Sequence, residues 1–437
     1  MKHILSLALT LTLLILLPSC TPNEADDKQN ETDEIPYDTE TLDYTETLEI
    51  FKENKKEDND NYPEIVEKLT WDSINALTKK SSDMTSDELR EMCVEFFRFN
   101  KTAAWTPDDN IKINRYSTGG EDTVEKGKIY GGLPYVSTAT GNIYRLMDYM
   151  DETTGVVDIK KASENPKLFG AQCSVSAYWA WARCINSVDY SWTYSSVTKN
   201  GFVRVGPYTY DDSIKMFSKS YSTEMICKAN GKETMFRSYA ELLPADGLVY
   251  YTSGGHTVMC SSEAVVKYKE DKTIDGEKSY ITIIDQGGSW SKRVNDSGDE
   301  TLIKGSVDAK LNFDTLFKYH YVPFTFSEFL GTDPVEETEC SFSHKGDTIT
   351  PEDLKAASVT SNYGISDIYA VLCSRTGKEV ILGVSRAARA SKHELSFKNA
   401  FGETDLSQYA TGNYTVKIVC QLGTGERPTI YKGTLVK

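Results

Sequence analysis

The hydrophobic and polar positions fall into five successive patterns along the chain. Met1–Leu17 is a short basic start followed by an apolar run, Leu5–Leu17, shorter than the ~20 apolar residues a membrane span needs. It therefore predicts the core of a signal peptide. Residues 21–62 turn polar and acidic, as in Lys52-Glu53-Asn54-Lys55-Lys56-Glu57-Asp58. Such a stretch cannot bury enough apolar surface to order itself, so it predicts a tether. From about 63 to 115 apolar residues recur at helical spacing, in Glu64–Leu69, Trp71–Leu77 and, after the start signal Thr85-Ser86-Asp87-Glu88, in Leu89–Phe97. Residues 116–330 begin with turns and helices (Asn142–Tyr149, then a helix opening at Cys173). They continue as short β-runs at 202–205, 247–251, 256–259, 264–268 and 280–284. Residues 335–437 alternate in strand fashion at 368–373, 379–384, 394–397, 413–419 and 429–436.

Helices first and strands afterwards indicate an α+β fold rather than alternating α/β units. The expected organisation is a signal peptide over 1–19, an acidic tether over 20–62 and a helical lead-in over 63–115. A catalytic domain over 116–330 and a C-terminal β-sandwich of immunoglobulin type over 335–437 follow. A hydrophobic share of 39% is ordinary for a globular body, and a net charge of -17 with no basic, aromatic-interleaved patch argues against nucleic acid as a partner. The nine cysteines include no CxxC pair, and with five histidines a zinc site is not expected; no metal or organic cofactor is implied.

The candidate chemistry centres on Phe169-Gly170-Ala171-Gln172-Cys173-Ser174-Val175-Ser176. A cysteine at the start of a buried helix meets unpaired backbone N–H groups and the positive end of the helix dipole, which favour thiolate over thiol. A thiolate nucleophile needs a base. His256, in Gly255-His256-Thr257-Val258-Met259, fills that role best; His320, flanked by Tyr319 and Tyr321, is its rival, and His344 and His393 fit a solvated surface. The run Tyr280–Ile284 ends in Asp285 and Gln286, either of which could orient the histidine but not both, because neighbours on a strand face opposite sides. The backbone N–H of Cys173 is a natural oxyanion donor, and Gln172 could add a side-chain donor.

Two resemblances sharpen these expectations. Leu17-Pro18-Ser19-Cys20 resembles the lipobox of bacterial lipoproteins, which implies lipid on Cys20 and an extracytoplasmic, membrane-anchored protein at the outer membrane or cell surface. Gln172-Cys173-Ser174-Val175 with Gly255-His256-Thr257-Val258 resembles the NlpC/P60 superfamily of papain-like cysteine peptidases over roughly residues 116–300. Members usually carry an aspartate where this chain has Gln172, and the interval from Cys173 to His256 is long here. Papain's cysteine and asparagine–tryptophan regions are fainter echoes in Gly170–Cys173 and Gln286–Trp290. The resemblance implies cleavage of a cell-wall peptide, of the D-glutamyl–diamino acid type. It also implies a Gly-rich tyrosine segment before the cysteine as a substrate contact, here Tyr130–Tyr135. Tyr130, Tyr135, Gln172 and Ser174 are the candidate substrate-binding residues. Two other readings stay open: a papain-like peptidase or amidase with a different substrate, and a surface binding lipoprotein with a relict triad.

Overall fold

The computed structural model describes residues 68–115, 120–137, 139–151, 153–164, 169–186, 202–210, 222–251, 255–294, 298–374, 377–390, 392–401 and 414–436. The expected signal peptide, the tether and Cys20 lie outside them. Within them the chain is a mixed α and β protein with several sheets and two apolar cores.

The first long helix, Ser86–Thr102, starts where the sequence signals it: Thr85 accepts from the Glu88 N–H and Glu88 returns a bond to the Thr85 N–H, a capping box. Leu89, Met92, Cys93, Phe96, Phe97 and Phe99 bury its apolar face, each large side chain contributing about 1.5–3 kcal/mol. Arg90 is fixed on the same helix by a 2.6 Å ion pair to buried Asp246 and a 3.1 Å bond to Thr325. The helix is thus built into the body. Directly behind it Ala104–Pro107 enters the main sheet as a strand, so the expected all-helical lead-in ends at Thr102. Trp105 explains the switch: its ring stacks on Tyr130 at 5.2 Å and its indole N–H donates to the Gly132 carbonyl, contacts only an extended backbone presents together.

That sheet has ten strands. In spatial order they are Met150–Asp151, Val156–Val157, Ala104–Pro107, Ile129–Gly131, Glu300–Asn312, Tyr280–Val294, Gly255–Cys260, Gly247–Tyr251, Val322–Phe326 and Phe202–Arg204. The helix Cys173–Trp181 is buried along its whole length and packs on the centre of the sheet, Trp181 meeting Phe324 and Phe326 edge-on or tilted at 5.4 and 5.1 Å. Expected strand 264–268 forms only the isolated bridges Val265–Tyr280 and Tyr268–Ile274. Conversely, Thr223–Ala240 is helical where no helix was expected, capped by Ser222 and broken in its middle by Gly231 at φ 74°.

The C-terminal residues form a three-stranded sheet (Cys340–Phe342, Ser358–Ser361, Glu394–Ser396) and a five-stranded sheet (Thr348–Ile349, Thr429–Leu435, Thr415–Leu422, Ile365–Cys373, Glu379–Arg386). Both contribute to the second core, around Phe342, Val359, Ile368, Phe397 and Ile418. This unit is bonded to the first by buried charge. Arg145 pairs with Asp367 at 3.0 Å and donates to the Ser366 and Ala387 carbonyls, while Arg386 bridges Asp367 and Asp148.

Candidate active site

Cys173 is the first residue of its helix, and the preceding Gln172 is extended and makes no side-chain cap. His256 lies on the strand Gly255–Cys260, whose neighbour Tyr280–Val294 carries Asp285. The three side chains meet in a buried spot: Cys173, His256 and Asp285 are 2%, 2% and 1% exposed. His256 Nε2 lies 3.1 Å from Asp285 Oδ2. The Cys173 thiol also interacts with the ring; with Nε2 engaged by Asp285, Nδ1 is the nitrogen a proton transfer to or from Cys173 would use. Burial alone would lower the pKa of His256. Coulombic attraction to Cys173, the hydrogen bonds to Asp285 and Cys173, and the Asp285 charge outweigh it and push the pKa up to about 10. A low-dielectric setting strengthens each of these interactions.

Asp285 reaches His256 because its strand leaves the regular ladder. Asp285 is opposite Ser306, but Trp290 is opposite Lys304, so five steps on one strand match two on the other. Gln286-Gly287-Gly288-Ser289 therefore bulges out. Gly305 is the hinge of this arrangement, with φ 90° and room for nothing larger: a Cβ there would lie 2.4 Å from the Asp285 carbonyl oxygen and 2.5 Å from the Gly287 nitrogen. The bulge also aims the Ser306 N–H at Asp285 Oδ1, 2.6 Å away, so both carboxylate oxygens are held.

Gln286 faces away from the histidine. Its Oε1 accepts from Lys101 and its Nε2 donates to the Leu133 carbonyl at 2.9 Å. The sequence alternative between Asp285 and Gln286 thus has a geometric answer: Asp285 contacts His256 and Gln286 braces the bulge against the first long helix.

The other candidates divide. Tyr135 bridges Ala171 in parallel register, two residues before Cys173, and its ring borders Gly288. Gln172 is half-buried at the same edge. Tyr130 is a core residue instead, with 1% exposure, its ring between Trp105 and Trp290 and its hydroxyl accepting from the Glu125 N–H. That enclosure places Tyr130 in the core; Ser174 is fully buried too, but so are Tyr135 and Cys173, and burial by itself does not separate the candidate contacts. His320, the rival base, stands apart at φ 60°, with burial lowering its pKa and Glu224 acting against that. His344 and His393 are held by the Thr348 and Ser361 carbonyls in the C-terminal unit.

The eight described cysteines are all free thiols, with Cys93 and Cys184 bringing their sulfurs within 3.5 Å in the core. Burial pushes the Cys260 thiol well up, as expected of an inert core residue. Among the described residues no group of three or more His, Cys, Asp or Glu side chains could hold a metal ion, and no helix is long and apolar enough to cross a membrane.

Sequence reasoning missed Lys101, Arg115, Gly305, Ser306 and Lys304, all of which shape this site. Gly287-Gly288 behind Asp285 was the available signal, since paired glycines inside a strand pattern mark a bulge. Comparison with protein-family models, curated proteins and solved structures finds no match to this chain.

Proposed function

We propose that this protein is a cysteine hydrolase that cleaves an amide bond in cell-wall peptides, with a papain-like, NlpC/P60-type catalytic unit and an immunoglobulin-like C-terminal unit. The lipobox-like Leu17–Cys20 further supports an extracytoplasmic position, anchored to a membrane through lipid on Cys20. The observation that carries the catalytic reading is His256, held by Asp285 through Nε2 while its ring is coupled to a cysteine at a helix start.

In this reading the Cys173 thiolate attacks the scissile carbonyl carbon, and the carbonyl π electrons move onto oxygen. The Cys173 backbone N–H, unpaired within its helix, stabilises that oxyanion, and Gln172 at the same edge can add a donor. Collapse of the tetrahedral intermediate breaks the C–N bond while imidazolium Nδ1 delivers its proton to the leaving amine, giving a thioester. Neutral His256 then takes a proton from water, hydroxide attacks the thioester carbonyl, and the acid departs with Cys173 restored as thiolate. Asp285 keeps Nε2 protonated throughout, so the exchanging proton is always the one on Nδ1.

Incubation of the protein and its Cys173→Ala variant with purified muropeptides, followed by mass spectrometry, tests this. Cleavage by the parent alone is the expected outcome, and the fragment masses identify the bond. Absence of cleavage by both would favour the reading as a surface binding lipoprotein with a relict triad.

A further inference from the structure

The bulge that carries Asp285 rests on cations. Lys304 Nζ, almost completely buried, lies 2.7 Å from Asp122 Oδ2, donates to the Gly288 carbonyl at 2.7 Å and sits 4.3 Å from the centre of the Trp290 ring. Lys101 bonds Gln286 and the Lys304 carbonyl from the other side. Arg115 shares the same aspartate at a looser 3.7 Å and keeps about a quarter of its side chain exposed (26%). One carboxylate, Asp122, thus stands between Lys304 and Arg115, and of the two cations Arg115 is the one that reaches solvent.

Arg115 is also placed beside the bulge that follows Asp285. The direction in which a Gly288 side chain would project is open, its first neighbours being Arg115 Nη1 at 3.9 Å and Tyr135 Cδ1 at 4.0 Å. Ser137 bonds the Arg115 carbonyl, and the adjoining Tyr135–Val136 segment pairs with Ala171, two residues before Cys173. On the other side a Cβ at Gly287 would lie 3.0 Å from the Asp285 carboxylate. Arg115, Tyr135 and Gly288 therefore form one wall next to the Cys173–His256–Asp285 group. The Gly288 position offers space where a substrate group can lie, and a guanidinium binds a carboxylate in a two-pronged geometry.

The geometry points to Arg115 as a substrate-binding residue that recognises a carboxylate close to the scissile amide, so that the site takes acidic peptides in preference to their neutral counterparts. This rests on the cysteine hydrolase reading and narrows its substrate class. The carboxylate is supplied either by an acidic residue or by a free chain end. In a chain of net charge -17 a guanidinium at this wall also attracts such anions locally.

The test compares alkylation of Cys173 by iodoacetate, an anion, and by iodoacetamide, its neutral analogue of the same shape, in the full-length protein at neutral pH. The expected iodoacetate-to-iodoacetamide rate ratio falls about fivefold or more in Arg115→Gln, is restored largely in Arg115→Lys, and in the parent declines as salt screens the wall. A ratio equal in parent and Arg115→Gln, with Cys173 reactive toward iodoacetamide, overturns the carboxylate assignment and leaves the hydrolase reading standing. Failure of Cys173 to react with either reagent overturns both. Peptide pairs carry the comparison to substrates. Preference for Glu over Gln beside the scissile bond in end-blocked peptides identifies an acidic residue as the source; preference for a free over an amidated C-terminus identifies a chain end. Absence of both preferences contradicts the proposal.

Discussion

Asp285→Asn separates charge from proton placement in the site. The aspartate accepts two bonds, from Ser306 N–H at 2.6 Å and from His256 Nε2–H at 3.1 Å. Asparagine has only one oxygen to offer. A buried backbone N–H left without an acceptor costs about 1–3 kcal/mol, and an amide NH2 turned against it costs more. The amide oxygen is therefore expected to stay with Ser306, which turns the NH2 toward His256. Nε2 must then accept, and neutral imidazole carries its proton on Nδ1, the nitrogen that has to take the thiol proton. Loss of the charge alone removes a hydrogen bond of about 1.5–3 kcal/mol, roughly ten- to hundredfold in rate. The wrong tautomer adds to this, for a total loss in kcat/KM of about a thousandfold or more. Asp285→Ala, which leaves the imidazole free to place its proton, loses about a hundredfold. The assay is kcat/KM on the cleaved muropeptide, beside the rate of Cys173 alkylation. An asparagine variant within tenfold of the parent, or more active than the alanine variant, would show that Asp285 does not set the proton position on His256.

Three further expectations come from the same geometry. Gly305→Ala places a Cβ against the Asp285 carbonyl at a φ of 90°, so it should destabilise the fold by at least about 1–3 kcal/mol and remove most activity; a melting curve and activity like the parent's would show that the bulge does not need this glycine. Arg145→Ala leaves buried Asp367 with Arg386 as its remaining cation and takes one donor from each of the Thr140, Ser366 and Ala387 carbonyls. Urea denaturation should show a loss of about 3–5 kcal/mol, and a loss below about 1 kcal/mol would contradict it. For pH, His256 is raised from 6.5 to about 10, so the fold binds its proton more tightly than the unfolded chain does. The resulting stability is fully present below pH 6.5 and is lost as pH rises through 10. Denaturation curves across that window should be steeper in pH for the parent than for His256→Gln, and equal slopes would contradict the coupled histidine.

Much of the candidate site was legible because its chemistry is local. A cysteine at the head of an apolar helix, a histidine opening a strand and an acid ending the next strand are each recognisable from a few residues. Helix Ser86–Thr102 was legible through its capping box, and the C-terminal strands through their alternation. The ten-stranded sheet was not, because its long-range order depends on Trp105 and Tyr130 meeting across turns that carry no periodicity. Helix Thr223–Ala240 escaped for a different reason: Gly231 interrupts it, and lysines, glutamates and methionines blur its apolar face. Tyr130 shows the limit of motif reading, since a tyrosine in a Gly-rich turn has the same local sequence whether it lines a cleft or fills a core. Asp285 and Gln286 needed the partner strand, as only Gly305, Ser306 and Lys101 decide which of them meets the histidine.

The most direct measurement is the iodoacetamide labelling rate of every cysteine in the parent and in His256→Ala at about pH 6, read by peptide mass spectrometry. Cys173 is expected to react at least about tenfold faster than any of the buried core thiols, and to lose this advantage with the imidazole. Cys173 labelled no faster than Cys260, or equally fast without His256, would contradict the claim that the two form a working nucleophile.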